Sequence, residues 1–573
     1  MLFMAGALLG VNQLAEAQLV KQRTEQEKTK TQLDWYNASP EDNGVYGAGV
    51  DKAYQFLKSK KVKKRPIVAL IGSGMDVEHE ALKLNIWTNP KEKLNGKDDD
   101  KNGYEDDIHG WNFIGGKDGR VMEGTLLEGD REFYRLKDKF GGIIHFGNEF
   151  YTYVDGVRTN VQKPEDMAGF QYYRKCVMPE SPLATGYEGI PMSYAFREYV
   201  RKFDKEMRVR FPEKTKFTPE DLATCWDPDG PQDTMANIVM TLSAYAIAYS
   251  RMNDWDVAYK RFGSDDYPKQ AEEEYAKLLQ EAGDDGRKEI VGDDFRDIND
   301  RKYGNNVLLT SNAGNGTMMA GIIAGKRGVE GRNNPIVENA EIMPLVVSAT
   351  TGDPYMKDVA LAIRYAVDHQ ADVIILPRHK TLYPEDQKKW VSEAIRYAEE
   401  KGVLIVVPAL EMAYDLGVVL FYPNRWMDGE KEFTNLIVVS ESDKNGNPGT
   451  NSNFGAKEVD IYAPGIEMLS TYTGDTYEAG TGAMLAASTV AGVAALIKSY
   501  YPELTGTQIR NILIETVTSR KDVEVEKTFR IYEESSQNYT KTAQDLFLFE
   551  QLCLSGGIVN AYNALIVADK LTK

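Results

Sequence analysis

Between Tyr477 and Ser499 the chain reads YEAGTGAMLAASTVAGVAALIKS, and no other stretch limits its fold as tightly. From Ala483 onward the residues are small or apolar on every side, with Ser488 and Thr489 the only polar interruptions before Lys498. A helix apolar all round has no face for water, so it belongs at the centre of a large core. Gly492 inside it costs about 1 kcal/mol relative to Ala, which predicts a close packing contact there. Tyr500 and Pro502 end the helix. The turn Gly480-Thr481-Gly482 feeds its N-terminus, a place where free N–H groups can stabilise an oxyanion.

A core helix of this kind needs a sheet to cover it. Pro66 to Ile71 is a continuous apolar run of strand length, as a buried parallel strand requires. Glu341 to Val347, Ala371 to Leu376, Val403 to Val407 and Leu436 to Val439 read as further strands. Asp358 to Gln370 and Gln387 to Lys401 read as amphipathic helices between them, and Thr507 to Val517 as another. Alternation of this kind predicts a mostly parallel sheet flanked by helices. Residues 119 to about 298 break the pattern: charged and aromatic, they carry helical spacing at Ala195 to Phe211, Thr234 to Phe262 and Lys269 to Ala282. Upstream of the first strand, residues 18 to 64 are polar, with a short helix expected at Val50 to Lys58.

The net charge of −19 over 573 residues argues against nucleic acid or an anionic membrane as partner. Leu2 to Leu14 is apolar but too short to span a bilayer, and Ala15-Glu16-Ala17 follows in the form a signal peptidase cuts. Residues 1–17 are therefore expected to be an export signal, the alternative being an ordinary apolar helix. No other run approaches the roughly 20 residues of a transmembrane segment. Of the three cysteines, Cys176 and Cys225 are the nearer pair for a bridge.

Two loops carry residues capable of chemistry. Asp98, Asp100 and Asn102 alternate before Gly103, matching positions 1, 3, 5 and 6 of an EF-hand-type loop. The Tyr104 carbonyl and Asp106 could complete a Ca²⁺ site, with Asp107 in reserve because the usual final Glu is missing; the alternative is a solvated acidic turn. Gly72-Ser73-Gly74 after the first strand suggests a dinucleotide loop, but the third glycine falls on Val77.

Three segments together resemble the subtilisin-like (S8) peptidases. Gly482 to Leu496 aligns without a gap to that family's G-T-S-M-A-[AS]-P-x-V-A-G-x-A-A-L, and Asn315 to Gly325 aligns to H-G-T-x-[VM]-A-G-[IV]-[IV]-A-[AG]. Ser73, Gly74, Asp76, His79, Leu82, Ile86, Trp87 and Asn89 fit a third frame, D-[ST]-G-[IV]-D, then H-x-[DE]-L, then x-x-x-[IN]-W-x-N. The scaffold positions fit and the chemical ones do not. Met484 stands at the nucleophile, Asn315 at the histidine and Gly72 at the aspartate. A thioether has no proton to lose, an amide takes none near neutral pH, and a glycine cannot hold an imidazole tautomer. The oxyanion asparagine is replaced by Glu411. On the edge that pairs with substrate in the family, Pro377 removes a ladder donor and His379 replaces a glycine.

The resemblance implies an α/β, three-layer subtilisin-like fold over 65–118 and 294–573, an N-terminal extension at 18–64 and a mainly helical insertion at 119–293. Its implied function is a pseudopeptidase, exported, binding an unidentified protein or peptide partner or serving in assembly, with Ca²⁺ as the cofactor such proteins often carry. The alternative is an endopeptidase with a relocated site, Ser73 with His79.

Overall fold

The computed structural model describes residues 34–217, 221, 255–283, 286–329, 332–379, 383–427, 429, 431–533 and 538–573. The expected export signal, Cys225 and residues 234–254 of one expected helix lie outside these.

The chain divides into two compact units, Met1–Thr125 with Gly286–Lys573, and Leu126–Asp285. In the first, nine strands form one sheet: β1 (Ile67–Gly72), β2 (Trp111–Asn112), β3 (Glu341–Val346), β4 (Val373–Ile375), β5 (Leu404–Pro408), β6 (Leu436–Ser442), β7 (Ile461–Pro464), β8 (Thr518–Ser519) and β9 (Gly557–Ile558), in the order β8-β9-β7-β6-β5-β4-β1-β3-β2. Every pairing is parallel except β8 with β9. The period of two along each strand divides the apolar residues between two cores. Val68 and Leu70 of β1 face one, with Val373 and Leu404; Ala69 and Ile71 face the other, with Ile374 and Ile405. Helices α1 (Ala313–Ile323) and α4 (Ala483–Tyr500) fill the first core, while α2 (Met356–Asp368) and α3 (Glu385–Glu400) cover the second. These are the three layers the resemblance implied, around the mostly parallel sheet that the alternation predicted.

Helix α4 passes by length and composition for a membrane span, yet it is 94% buried inside the fold. Gly492 explains itself here, since a Cβ would stand 2.9 Å from Ile336 Cβ. The helix packs flush against that side chain.

Two boundaries differ from expectation. Residues 34–64 are no separate extension: Tyr36, Ala48, Val50, Ala53 and Leu57 are sealed in the first core. The inserted unit runs Leu126–Asp285, a few residues inside 119–293 at each end. Within it, helices Glu128–Phe140, Pro182–Arg210 and Asp266–Ala282 are joined by a three-stranded antiparallel sheet, Ile144–Phe146, Glu149–Val154 and Val157–Asn160, which helical spacing could not announce. A hairpin near the C-terminus, Glu524–Glu533 with Asn538–Leu548, was likewise not foreseen.

Candidate functional site: a remodelled catalytic cleft

Parallel α/β sheets place their working residues at the carboxyl ends of the strands. Gly72 ends β1, Asn315 lies in the first turn of α1 and Met484 in the first turn of α4. The three substituted positions converge, since all line one cavity of about 20 Å³ with Ser73, Gly74 and Met319. That is room for about one water molecule. Gly72 would accept a side chain, because no atom lies within 4 Å of where its Cβ would be. The scaffold is drawn tight beside it: a Cβ on Gly316 would fall 2.0 Å from the Gly74 carbonyl oxygen, which only glycine at 316 avoids. Thr317 ties the two segments, its Oγ1 accepting from the Asp76 N–H at 3.0 Å and donating to the Ala313 carbonyl at 2.7 Å.

Ser73 and His79 do not form a relocated pair. The Ser73 hydroxyl donates to the Asn312 carbonyl at 2.9 Å. The His79 ring is 1% exposed; its Nδ1 accepts from the Ala81 N–H at 3.1 Å, which leaves Nε2 to donate to the Thr476 carbonyl at 3.2 Å. Ser488 is turned back along its own helix, donating to the Met484 carbonyl. The dinucleotide reading also loses its basis, since no helix begins at Gly74 to meet a phosphate; the chain turns there instead.

Glu411 reaches the N-terminus of α4. Its Oε1 accepts the Ala483 N–H, and a Cβ on Gly482 would lie 2.8 Å from that oxygen. A carboxylate of the chain itself thus takes a donor at the helix end where an oxyanion would otherwise develop. Desolvation of this carboxyl raises its pKa above the ordinary value. Glu441 on β6 lies behind it, 2% exposed, with Oε2 unpartnered; burial first, and the charge of Glu411 second, push its pKa well above 4.5. Lys527 is the cation that acts on Glu441, held by the carbonyls of Gly449, Thr450 and Thr528 and brought down to about 8 by burial.

A pH dependence results. With its folded pKa above the unfolded value, Glu441 contributes stability that is fully present below pH 4.5 and lost as pH rises through the folded pKa. Between about pH 5 and pH 7 Lys527 is protonated folded and unfolded alike and adds no slope. Glu441→Gln is expected to be the more stable protein at pH 7 and to remove up to about 1.4 kcal/mol per pH unit of decline over that window. Urea unfolding at several pH values checks it; parallel curves for the two proteins would refute the assignment.

The edge that pairs with substrate in the family meets the chain itself at His379. After β4 the chain runs through Pro377 to His379, and the His379 N–H donates to the Tyr422 carbonyl at 2.8 Å while the Tyr422 N–H donates back at 2.9 Å. Residues following β5 therefore pair with the edge that a peptide would need. Sequence reasoning reached Pro377 and His379 but not Tyr422, because a pairing forty residues apart leaves no local signal.

The acidic loop is rearranged relative to the EF-hand template. Asp98 and Asp100 come together with Glu92, all three offering oxygens within 4.8 Å of one another. Glu92 precedes the alternating run and was missed. Its Oε1 accepts the Asp100 N–H at 2.8 Å, while its Oε2 is buried without a partner. Asn102 Oδ1 accepts from the Tyr104 N–H at 2.7 Å, and Asp106 caps the Asn95 and Gly96 N–H groups, so both are spent on the turn. Asp107 is fully buried, accepting from Asn89, Asn102 and the Tyr365 hydroxyl.

A thermostable alkaline protease of Halalkalibacterium halodurans is 32% identical over 210 residues, 36% of this chain and 53% of the relative. Subtilisin Savinase of Lederbergia lenta is 31% identical over 209 residues, 36% of this chain and 71% of the relative. The chain thus spans about half the length of the first of these. Among solved structures, the prenylagaramide maturation protease PagA matches over 44% of this chain and 82% of its own, at 20% identity and a TM-score of 0.34. The profile of the subtilase family, Peptidase S8, matches residues 63–531, most of the chain and all three motifs at the cleft, and on that match this chain belongs to the subtilase family.

Proposed function

We propose that this chain is a catalytically silent subtilase, exported, whose scaffold serves binding or assembly with a protein or peptide partner. The observation that carries the reading is the convergence of Gly72, Asn315 and Met484 on one cavity, with neither acid, base nor nucleophile among them. Glu411 at the α4 N-terminus and Tyr422 on the substrate edge support it from two further directions. In subtilisin, a member of this family, loss of Ser or His alone costs about 2 × 10⁶ in kcat, a measured value and not one obtained from this chain. Incubation of the purified protein with denatured casein and a serine-directed fluorophosphonate is expected to give neither fragments nor a covalent adduct. Labelling of Ser73, or of any serine, would favour the relocated-site peptidase instead. A pull-down from the native envelope addresses the partner, and N-terminal sequencing of the exported protein addresses cleavage before Gln18.

Ca²⁺ is the ion this reading assigns to the acidic loop. Three carboxylates this close repel one another unless a cation intervenes, and the buried, unpartnered Glu92 Oε2 is the kind of hard oxygen that Ca²⁺ takes. Glu92, Asp98 and Asp100 would hold the ion; its role is structural, bracing the turn that carries Asp98 and Asp100. Glu92→Gln is expected to weaken Ca²⁺ binding about tenfold or more by calorimetry, while Asp106→Asn, which alters a turn cap, changes it far less. Equal losses in both variants would return the site to the EF-hand arrangement.

A further inference from the structure

Between Pro377 and His379, on the edge that pairs with substrate in the family, stands Arg378, near a buried acid, Asp460, that two other arginines hold. Asp460, fully buried at the start of β7, accepts Arg510 Nη2 at 2.7 Å and lies 3.1 Å from Arg425 Nη1 through Oδ1, while its Oδ2 accepts the Val438 N–H at 2.7 Å. Arg425 also reaches Glu432 Oε1 at 2.8 Å. Both oxygens of Asp460 are therefore engaged before Arg378 is considered. Arg378 follows β4 and is 4% exposed. Its Nε and Nη1 are buried without hydrogen-bond partners, and so are Nε of Arg425 and Nε of Arg510. Among the described residues, three guanidinium charges face two carboxylates, Asp460 and the half-exposed Glu432, one positive charge in excess.

A guanidinium cannot shed its charge as a lysine can, and burying it unpaired is costly. Water could satisfy the donors but not the charge. Phe421 packs against the Arg378 guanidinium, 5.5 Å from ring centre to Cζ. Each planar fork of a guanidinium pairs Nη2 with either Nε or Nη1, and both of the latter are unused. Among the described residues the charge of Asp460 acts on it, and burial still draws its pKa down to about 9.

We propose that Arg378 is the binding site of a carboxylate, singly charged, that comes from a ligand: a free carboxylic acid or the C-terminus of a peptide. The arrangement suits one negative charge, since a single positive charge is in excess, and the two-pronged geometry of a carboxylate matches the fork. Arg425 and Arg510 hold Asp460 so that it cannot turn to Arg378, which makes them positioning residues.

Thermal unfolding of the full chain in acetate, against chloride at equal ionic strength and pH, tests the assignment. A saturable rise in Tm with acetate alone is expected, lost in Arg378→Met, with Arg378→Lys binding at least tenfold more weakly because it keeps the charge but not the fork. A small peptide with a free C-terminus, compared with its amide, then separates the two sources: protection by the acid form alone identifies a peptide end, and protection by acetate without the peptide identifies a small acid. Identical behaviour in acetate and chloride, or an undiminished acetate response in Arg378→Met, would overturn the proposal. Should Arg378→Met fail to fold, the lysine variant carries the same decision.

Discussion

Reinstalling the three lost groups as Gly72→Asp, Asn315→His and Met484→Ser is expected to leave hydrolysis about 10²–10³ below that of the same chain carrying Glu411→Asn in addition. Room for the aspartate exists, since nothing stands within 4 Å of the Gly72 Cβ position. The histidine and serine would enter at helix first turns already aimed at one cavity. What remains wrong in the triple variant is charge: the Glu411 carboxylate sits on the Ala483 N–H, where negative charge must grow in the transition state. Asparagine there supplies a donor in place of a repelling group, and the factor is the one measured for loss of that donor in subtilisin, not a value derived from this chain. The His379–Tyr422 pairing should keep KM high in both variants, because the peptide must compete with the chain's own backbone. Steady-state kinetics on a fluorogenic peptide, normalised by fluorophosphonate titration, checks the ratio. A triple variant as active as the quadruple would show that Glu411 does not obstruct the oxyanion.

Asp358→Ala should be among the most damaging single substitutions, at about 3–5 kcal/mol. Arg287, Asp293, Lys357 and Asp358 form a neutral cluster with every side chain at most 2% exposed. Arg287 donates to Asp358 through Nη1 at 2.7 Å and Nη2 at 2.9 Å, and the Tyr303 hydroxyl donates to the same carboxylate. Removing the acid leaves two buried cations, Arg287 and Lys357, sharing Asp293 alone, and that excess positive charge, more than the lost contact, sets the cost. The pair Asp358→Ala with Arg287→Met is expected to recover part of the loss. Urea unfolding measures both; a single-variant cost under about 1 kcal/mol would mean that water reaches the cluster.

Much of the first unit was legible because its signals are local. Strand β1 announced itself as an apolar run, α4 as a helix with no polar face, and α2 and α3 by their period. The substituted positions were legible for a related reason: each sits inside a motif whose neighbours are fixed by packing, such as Gly316 against Gly74. The metal loop was half legible. Alternating acids drew attention to Asp98 and Asp100, but the same pattern pointed to Asp106, whose carboxylate the fold spends on two backbone N–H groups, and it missed Glu92. The inserted unit was expected to be mainly helical, and its short antiparallel strands escaped notice because they lie among aromatic residues that suit either state.

By itself, then, the sequence determined the layer architecture, the family and the residues, Gly72, Asn315 and Met484, that stand at three positions of the family's motifs, since these depend on residue type and spacing along the chain. Only the tertiary structure decided which distant residues meet. Glu411 meets Ala483, Tyr422 meets His379, and Arg378 stands beside an acid already claimed by Arg425 and Arg510. Each of these contacts joins residues tens of positions apart, and the free energy of such a contact comes from burial and charge that exist only once the sheet has brought its strand ends together.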